Sequence, residues 1–391
     1  MANFVKTDTG DTIQVTVAPA HTEAFGAVRT ASFQPTTGWT FAYNINAGLI
    51  NSTTDGVTGG VAHEDNFAVL TTGTAADGFA QIQTKRGNRY IPGIGGLARF
   101  TAVFNEGTAD SVQYVGQIDD QDGWAFGYNG TSFGILRRAA GVDHWIPQAR
   151  WNMNQRPDLD PTKGNVYQIE YRWLGFGAQF FSIEDEDGNV SLVHVLYYSG
   201  LNTSTSVDNP NLPLTARIEN AGNETDLTLK TPSAIAGLDG DPTNDAIGLT
   251  LATDVADAGI TGGTETAILS LRNPATWLTK NNRMFVEALR LSLAAEGNKP
   301  VVVRIYANAT ITGGTYSDLV ANVSPIQVNT TMTGFTGGVQ IGTFSLAKDG
   351  NISIDFTGSK FKGYPGEEIT ITALSANASE ITAGVAFRQY L

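Results

Sequence analysis

Cysteine is absent from all 391 residues. Disulfides, cysteine-ligated zinc and thiol chemistry are therefore excluded. A chain without cysteine can be built in a reducing cytosol and then work outside it, as a particle assembled in a cell and released must. Charge is also scarce, at 16% of residues, and 24 Lys and Arg against 38 Asp and Glu leave a formal net charge of −14. A nucleic-acid surface needs clustered cations to displace counterions. The densest basic patch, Lys85-Arg86-Gly-Asn-Arg89, is too short to reverse the global sign. An acidic surface is also repelled by anionic membranes. No stretch approaches the ~20 apolar residues of a membrane span. Met1-Ala-Asn-Phe-Val-Lys6 lacks the apolar run of a signal peptide. Neither nucleic acid nor membrane is expected as a partner, and synthesis in a cytoplasm is expected. Long windows with a 3.6-residue apolar stripe are missing, which argues against helices. No repeat at a fixed period of ~20–50 residues occurs, which excludes a solenoid or propeller.

What is present is glycine, at 44 residues, with abundant Thr and Asn and β-branched alternation. That composition points to an all-β chain rich in turns. The chain is organised around residues 165–199. Tyr167, Ile169, Tyr171 and Trp173 fall on one face, and Gln168, Glu170 and Arg172 on the other, the period of a strand with one buried face. Gln179-Phe-Phe-Ser-Ile183 reads as a second strand, and Asp187-Gly188 as a tight turn. Val190 to Tyr198 is apolar on both faces and is expected to be a central strand. Upstream, short strands recur from Phe79 onward, with a hairpin at Asn129-Gly130. Four of the six tryptophans, Trp124, Trp145, Trp151 and Trp173, lie in this part.

The expected fold is a lectin-like (concanavalin-like) jelly-roll sandwich followed by a smaller β-sandwich. The expected boundaries are an N-terminal arm or partial β segment over 1–77, the jelly roll over 78–235, a linker over 236–265 and the second sandwich over 266–391. The 1–77 stretch reads equally as a first strand pair completing the jelly roll or as an arm that docks on a neighbouring subunit.

Few residues offer chemistry. Glu184 and Glu186 have the i, i+2 spacing of a glycosidase carboxylate pair. They run into Asp187-Gly188-Asn189, however, and a solvated turn is the expectation. Asp119-Asp-Gln-Asp-Gly123 and Asp239 to Asp245 are oxygen-rich, but neither has the ligand spacing of a calcium loop. The histidines His21, His63, His144 and His194 are scattered, and His194 is expected to be a hydrogen-bonded core or interface residue. Gly93-Ile-Gly-Gly96 precedes no helix, so it is read as a turn and not a phosphate cradle. His144, Trp145, Arg150 and Trp151 cluster in sequence. Flat rings beside hydrogen-bonding groups are how proteins grip sugars, and these four form the candidate glycan site. The bland alternative is that both rings close the sandwich edge or fill a subunit contact. No catalytic residue, metal site or cofactor is expected.

The strings Arg99-Phe-Thr-Ala-Val-Phe104, Gly127-Tyr-Asn-Gly-Thr-Ser-Phe-Gly-Ile-Leu136, Asp143-His-Trp-Ile-Pro-Gln148, Asp160-Pro-Thr-Lys-Gly-Asn165 and Trp173-Leu-Gly-Phe-Gly177 resemble a family of virion structural proteins of tailed bacteriophages and other large DNA viruses. The resemblance covers roughly residues 85–235. It implies a lectin-like jelly roll on a capsid surface, fibre or spike, and no catalytic residues. The first reading is thus a structural component of a phage particle, a surface decoration, fibre or spike acting through contacts with other virion proteins and with itself, as a homotrimer. The second is a glycan-binding receptor-recognition module on the particle. The third is a polysaccharide hydrolase using the 184–187 acids.

Overall fold

The computed structural model describes residues 3–6, 12–15, 33–173, 175–240, 248–282, 284–356 and 362–390. The chain divides into two compact units, Met1–Thr243 and Asn244–Leu391. Every strand pair is antiparallel, and the only helical turn among the described residues is the short Gln148–Arg150. The expected all-β chain of two sandwiches is what the structure shows.

The first unit is a jelly-roll sandwich. One sheet has seven strands in the order Val142–Pro147, Ser132–Ala139, Gly123–Asn129, Ser111–Ile118, Leu214–Asn220, Phe79–Thr84 and Ile50–Thr54. The facing sheet has six, in the order Val190–Leu196, Gln179–Glu184, Asn165–Tyr171, Gly95–Ala102, Ser233–Asp239 and Phe33–Thr40. A three-stranded sheet, Thr228–Thr231, Phe67–Thr71 and Gly60–Glu64, adds Leu229, Leu70 and Ala68 to the same core. A separate two-stranded pairing joins Asn3–Lys6 to Thr12–Val15.

Alternation sends Trp124, Phe126 and Tyr128 inward from one sheet and Tyr167, Ile169 and Tyr171 inward from the other. The rings interlock: Phe126 lies 5.0 Å from Tyr167 and 5.8 Å from Phe181, and Trp124 lies 5.5 Å from Tyr171. Each such pair adds about 0.5–1.5 kcal/mol beyond area burial. At one end of the core two buried amides converge on a phenol. The Tyr171 hydroxyl accepts from Asn88 Nδ2 and Gln117 Nε2, both at 3.1 Å, and burial pushes that phenol up to about 12. Gly96 stands opposite Tyr171, and a Cβ there would sit 2.2 Å from the ring. The glycines read as a turn are therefore partly strand: Gly96 makes room for the ring that closes the core.

Two expectations change, for the Val190–Leu196 strand and for the linker, and for the 1–77 segment one of the two alternatives holds from Phe33 onward, completion of the jelly roll. The Val190–Leu196 strand is an edge strand and not the centre of its sheet. Its second apolar face is covered locally, where Val195 and Leu192 pack with Phe180. Most of the 1–77 segment, from Phe33 onward, belongs to the jelly roll itself: Trp39, Phe41, Ile50 and Leu70 are in the core. Most of the described residues in the stretch read as a linker are strand. Ser233–Asp239 lies in the six-stranded sheet, and Gly248–Ala252 and Ala256–Ile260 pair with Ser379–Tyr390 in the second unit. Short strands of Gly, Ala and Thr carry little apolar signal and acquire their place from neighbours.

The second unit is a smaller sandwich. One sheet is built on the long strands Phe285–Gly297 and Ser379–Tyr390; the other has the order Ser317–Asp318, Gln327–Asn329, Thr266–Arg272, Glu368–Ser375, Val301–Ala307 and Val339–Leu346. Leu291, Leu293, Val303, Ile305, Ile371 and Phe387 fill the space between.

The edge strand Val190–Leu196 is tied down by the loop that follows the helical turn. Met153 and Asn154 donate backbone N–H groups to the Val193 carbonyl. Asn152 pairs its side-chain amide with both backbone groups of Val195 at 2.9 Å. The Asn152 N–H also donates to His194 Nδ1 at 3.2 Å. His194 is buried, and desolvation lowers its pKa to about 4. The folded state therefore holds the neutral ring, while the unfolded chain takes up a proton below pH ~6.5. Stability is fully present above that value and declines as pH falls toward the folded pKa. Urea unfolding of the first unit should show stability falling between pH 6.5 and 4.5, and His194→Gln should flatten that slope; an unchanged slope in the variant refutes the assignment.

Candidate functional site

The four residues singled out in the sequence do not converge. Trp145 stands on the Val142–Pro147 edge strand opposite Leu136, on the outer face of the seven-stranded sheet. There it packs on a small cluster of Tyr114, Ile118, Ala125 and Leu136. His144, one residue back, alternates to the other side and is exposed, as is Arg150 at the end of the helical turn. Trp151 is buried inside the sandwich. Its ring meets Phe126 edge-on at 6.0 Å and Phe133 at 6.2 Å. It therefore offers no face to a ligand, and its part in a sugar platform is corrected. A Pro147–Trp151 turn swings the chain from sheet edge to core, and that reversal was invisible as spacing.

The acidic segments are structural. Glu184 pairs with Arg99. The Asp185 carboxylate accepts the N–H groups of Asp187 at 3.1 Å and Asn189 at 2.8 Å, while Gly188 takes φ +80 to close the turn. Glu186 and Asp187 are exposed. In the other run, Asp122 is buried and accepts backbone N–H groups from Ala140 at 3.3 Å, Asp208 at 2.9 Å and Asn209 at 3.1 Å. It pins two loops to its hairpin; burial raises its pKa, and these hydrogen bonds oppose the rise. Residues 241–245 of the third acidic stretch lie outside the described residues. Among the described residues, no three His, Asp or Glu side chains gather into a set fit to hold a metal ion. No helix there is long and apolar enough to cross a membrane.

The structure reveals a concavity that no sequence motif marks. A groove of about 1390 Å³ runs over the outer face of the six-stranded sheet beside its Phe33–Thr40 edge and the loop that follows. Register explains its shape. Ile235 lies across from Arg99 on one side and from Gly38 on the other. Gly38 carries no side chain, so Ile235 forms an apolar floor; a Cβ on Gly38 would stand 2.9 Å from its Cδ1. The next row along the strands is hydroxylic. Thr101 Oγ1 lies 3.2 Å from Ser233 Oγ, and Thr40 is Ser233's other neighbour. Thr36 and Thr37 turn their hydroxyls away, to Asn88 and the Arg86 carbonyl. Tyr43, 94% exposed, stands at the rim. The charges lining the groove are Arg99 and Glu184, which neutralise each other. In a chain of net charge −14, this surface is close to neutral. A ring, an apolar floor, hydroxyls and a closed ion pair suit an uncharged, hydroxyl-rich ligand. Nothing here supplies a nucleophile or a pair of unpartnered acids.

Fold and groove together define a class, an all-β chain whose first unit is a two-sheet sandwich with an open groove of near-neutral charge on one outer face. No family model matches the chain, and no curated protein matches it. Among solved structures it is similar to lectin I-B4 from Griffonia simplicifolia in its metal-free form, with 12% identity over 52% of this chain and 99% of that one and a TM-score of 0.35. It is also similar to a beta-1,3-glucanase from Mycobacterium marinum, with 9% identity over 52% and 98% and a TM-score of 0.35. A third is the legume lectin-like domain from Entamoeba histolytica, with 13% identity over 51% and 95% and a TM-score of 0.31. Nothing about ligand or activity follows from likeness this low.

The geometry assigns the two neighbouring tryptophans opposite roles. Trp151→Ala should destabilise the first unit by about 3–5 kcal/mol, as for a large side chain removed from a core. Trp145→Ala should cost well under half of that. Paired urea melts check this, and equal losses contradict the placement.

Proposed function

We propose that the first unit is a non-catalytic recognition module that binds neutral glycan in the groove along Phe33–Thr40. The observation that carries this reading is the groove itself: an exposed ring, an apolar floor and a row of hydroxyls, with its charges paired off, on an otherwise acidic chain. Sugars present an apolar face and a rim of hydroxyls, and these two halves of the surface answer each in turn.

A second observation favours a role within a larger assembly. Phe176, Tyr197 and Leu201 are all exposed in the first unit, Leu201 at 72%. Phe176 meets Tyr198, and the Gly175 carbonyl accepts from Ser206, which draws their two loops together. Aromatic and aliphatic exposure of this kind marks protein contacts. With the resemblance to virion proteins, it supports a chain carried on a phage particle as a decoration, fibre or spike component, touching other virion proteins while the groove meets a host glycan. Identification of the chain by mass spectrometry of purified particles tests that setting.

For the groove, glycan-array screening of the whole protein should show binding to neutral oligosaccharides. Tyr43→Ala should weaken it by about tenfold, the share of one stacked ring, while Trp145→Ala leaves it unchanged. Absence of binding to any glycan, or binding indifferent to Tyr43, rules the groove out.

A further inference from the structure

The second unit holds a feature that neither reading uses. Between Asp318 and Lys348 the sequence contains no Asp, Glu, Lys, Arg or His, in a chain of net charge −14. Within this uncharged stretch lies Val339–Leu346, the last strand of its sheet, which pairs on one side with Val301–Ala307. Among the described residues nothing pairs with its other side. Phe344 and Leu346 point into the core, whereas Val339 is 68% and Ile341 41% exposed. After a turn closed by Gly350 N–H to the Ala347 carbonyl, the chain forms Asn351–Asp355, an edge of the opposing sheet, with Ile352 also exposed. Two consecutive edge strands thus open the same corner of the sandwich.

Edge strands that face water are ordinarily blunted by charge, proline or a bulge. Val339–Leu346 has neither charge nor proline. It has one irregularity, at Ile341, which leaves Gly342 to Leu346 in regular register. We propose that this edge is the seam at which a second copy of this chain joins, adding its own Val339–Leu346 strand antiparallel to the same sheet. Charge selects the partner. Two acidic copies repel over a Debye length of ~8 Å at physiological salt, and like charges directly opposite across a strand pair destabilise it. This strand places none opposite its own image. Symmetry selects the geometry: a two-fold axis, the commonest closed symmetry, relates identical strands antiparallel, as every strand in this unit already pairs. The contact gives the open N–H and C=O groups partners and covers Val339 and Ile341.

The test is sedimentation of the full chain across a concentration series. The expected result is a dimer. Val339→Lys and Thr343→Lys, both at exposed positions, should each weaken dimerisation at least about tenfold by placing a charge on an edge that otherwise carries none. Their melting curves under conditions where all species are monomeric should match the parent, and either variant suffices if the other folds poorly. A wild-type monomer, which would leave the edge to some different protein, overturns the proposal. So does a trimer, or a dimer indifferent to both lysines.

Discussion

Everything in the first unit is arranged around one layer of rings. Phe126 alone lies within 6.4 Å, centroid to centroid, of Phe100, Tyr167, Phe181 and Trp151. These rings come from both sheets and from the loop after the helical turn, so they join elements far apart in sequence. Aromatic side chains carry large buried areas, each worth about 1.5–3 kcal/mol of transfer free energy. A chain with so few charges and no disulfides rests on that layer. Gly96 exists as a glycine because Tyr171 must lie over it, and Asn88 and Gln117 are buried because they satisfy the same phenol.

Sending the rings inward has consequences outside. The outer faces carry small apolar clusters around Tyr114 and Phe180, and several of their charges are paired: Arg99 with Glu184, Arg138 with Asp143, Arg217 with Glu219. Pairs of this kind add little to stability when exposed. They do neutralise the sheet faces locally, in a chain whose net charge is −14. Such a surface favours recognition by shape and hydrogen bonding over electrostatic steering. The edge strand Val339–Leu346 of the second unit likewise carries no charge.

Much of this was legible in the sequence, and the failures have physical causes. The alternation of Tyr167, Ile169 and Tyr171 marked a buried face correctly, because period two is a direct consequence of strand geometry. The Asn129-Gly130 hairpin was equally plain, with Gly130 at φ +58. Val190–Leu196 was misplaced because two apolar faces signal burial without saying what buries them; Phe180 and a covering loop serve as well as a flanking layer. Trp151 was grouped with Trp145 because proximity in sequence says nothing about which side of a turn a ring takes. The groove escaped notice because its parts, Tyr43, Thr101, Ser233 and Ile235, are brought together only by strand register. No local motif encodes register.

The claim on which the rest depends is that the interlocked rings between Gly123–Asn129 and Asn165–Tyr171 hold the first unit together. Native-state hydrogen exchange resolved along the chain tests it most directly. Amides of these two strands are expected to exchange only through global unfolding, more slowly than those of the edge strand Val142–Pro147. Exchange in the two central strands as fast as at that edge would contradict it.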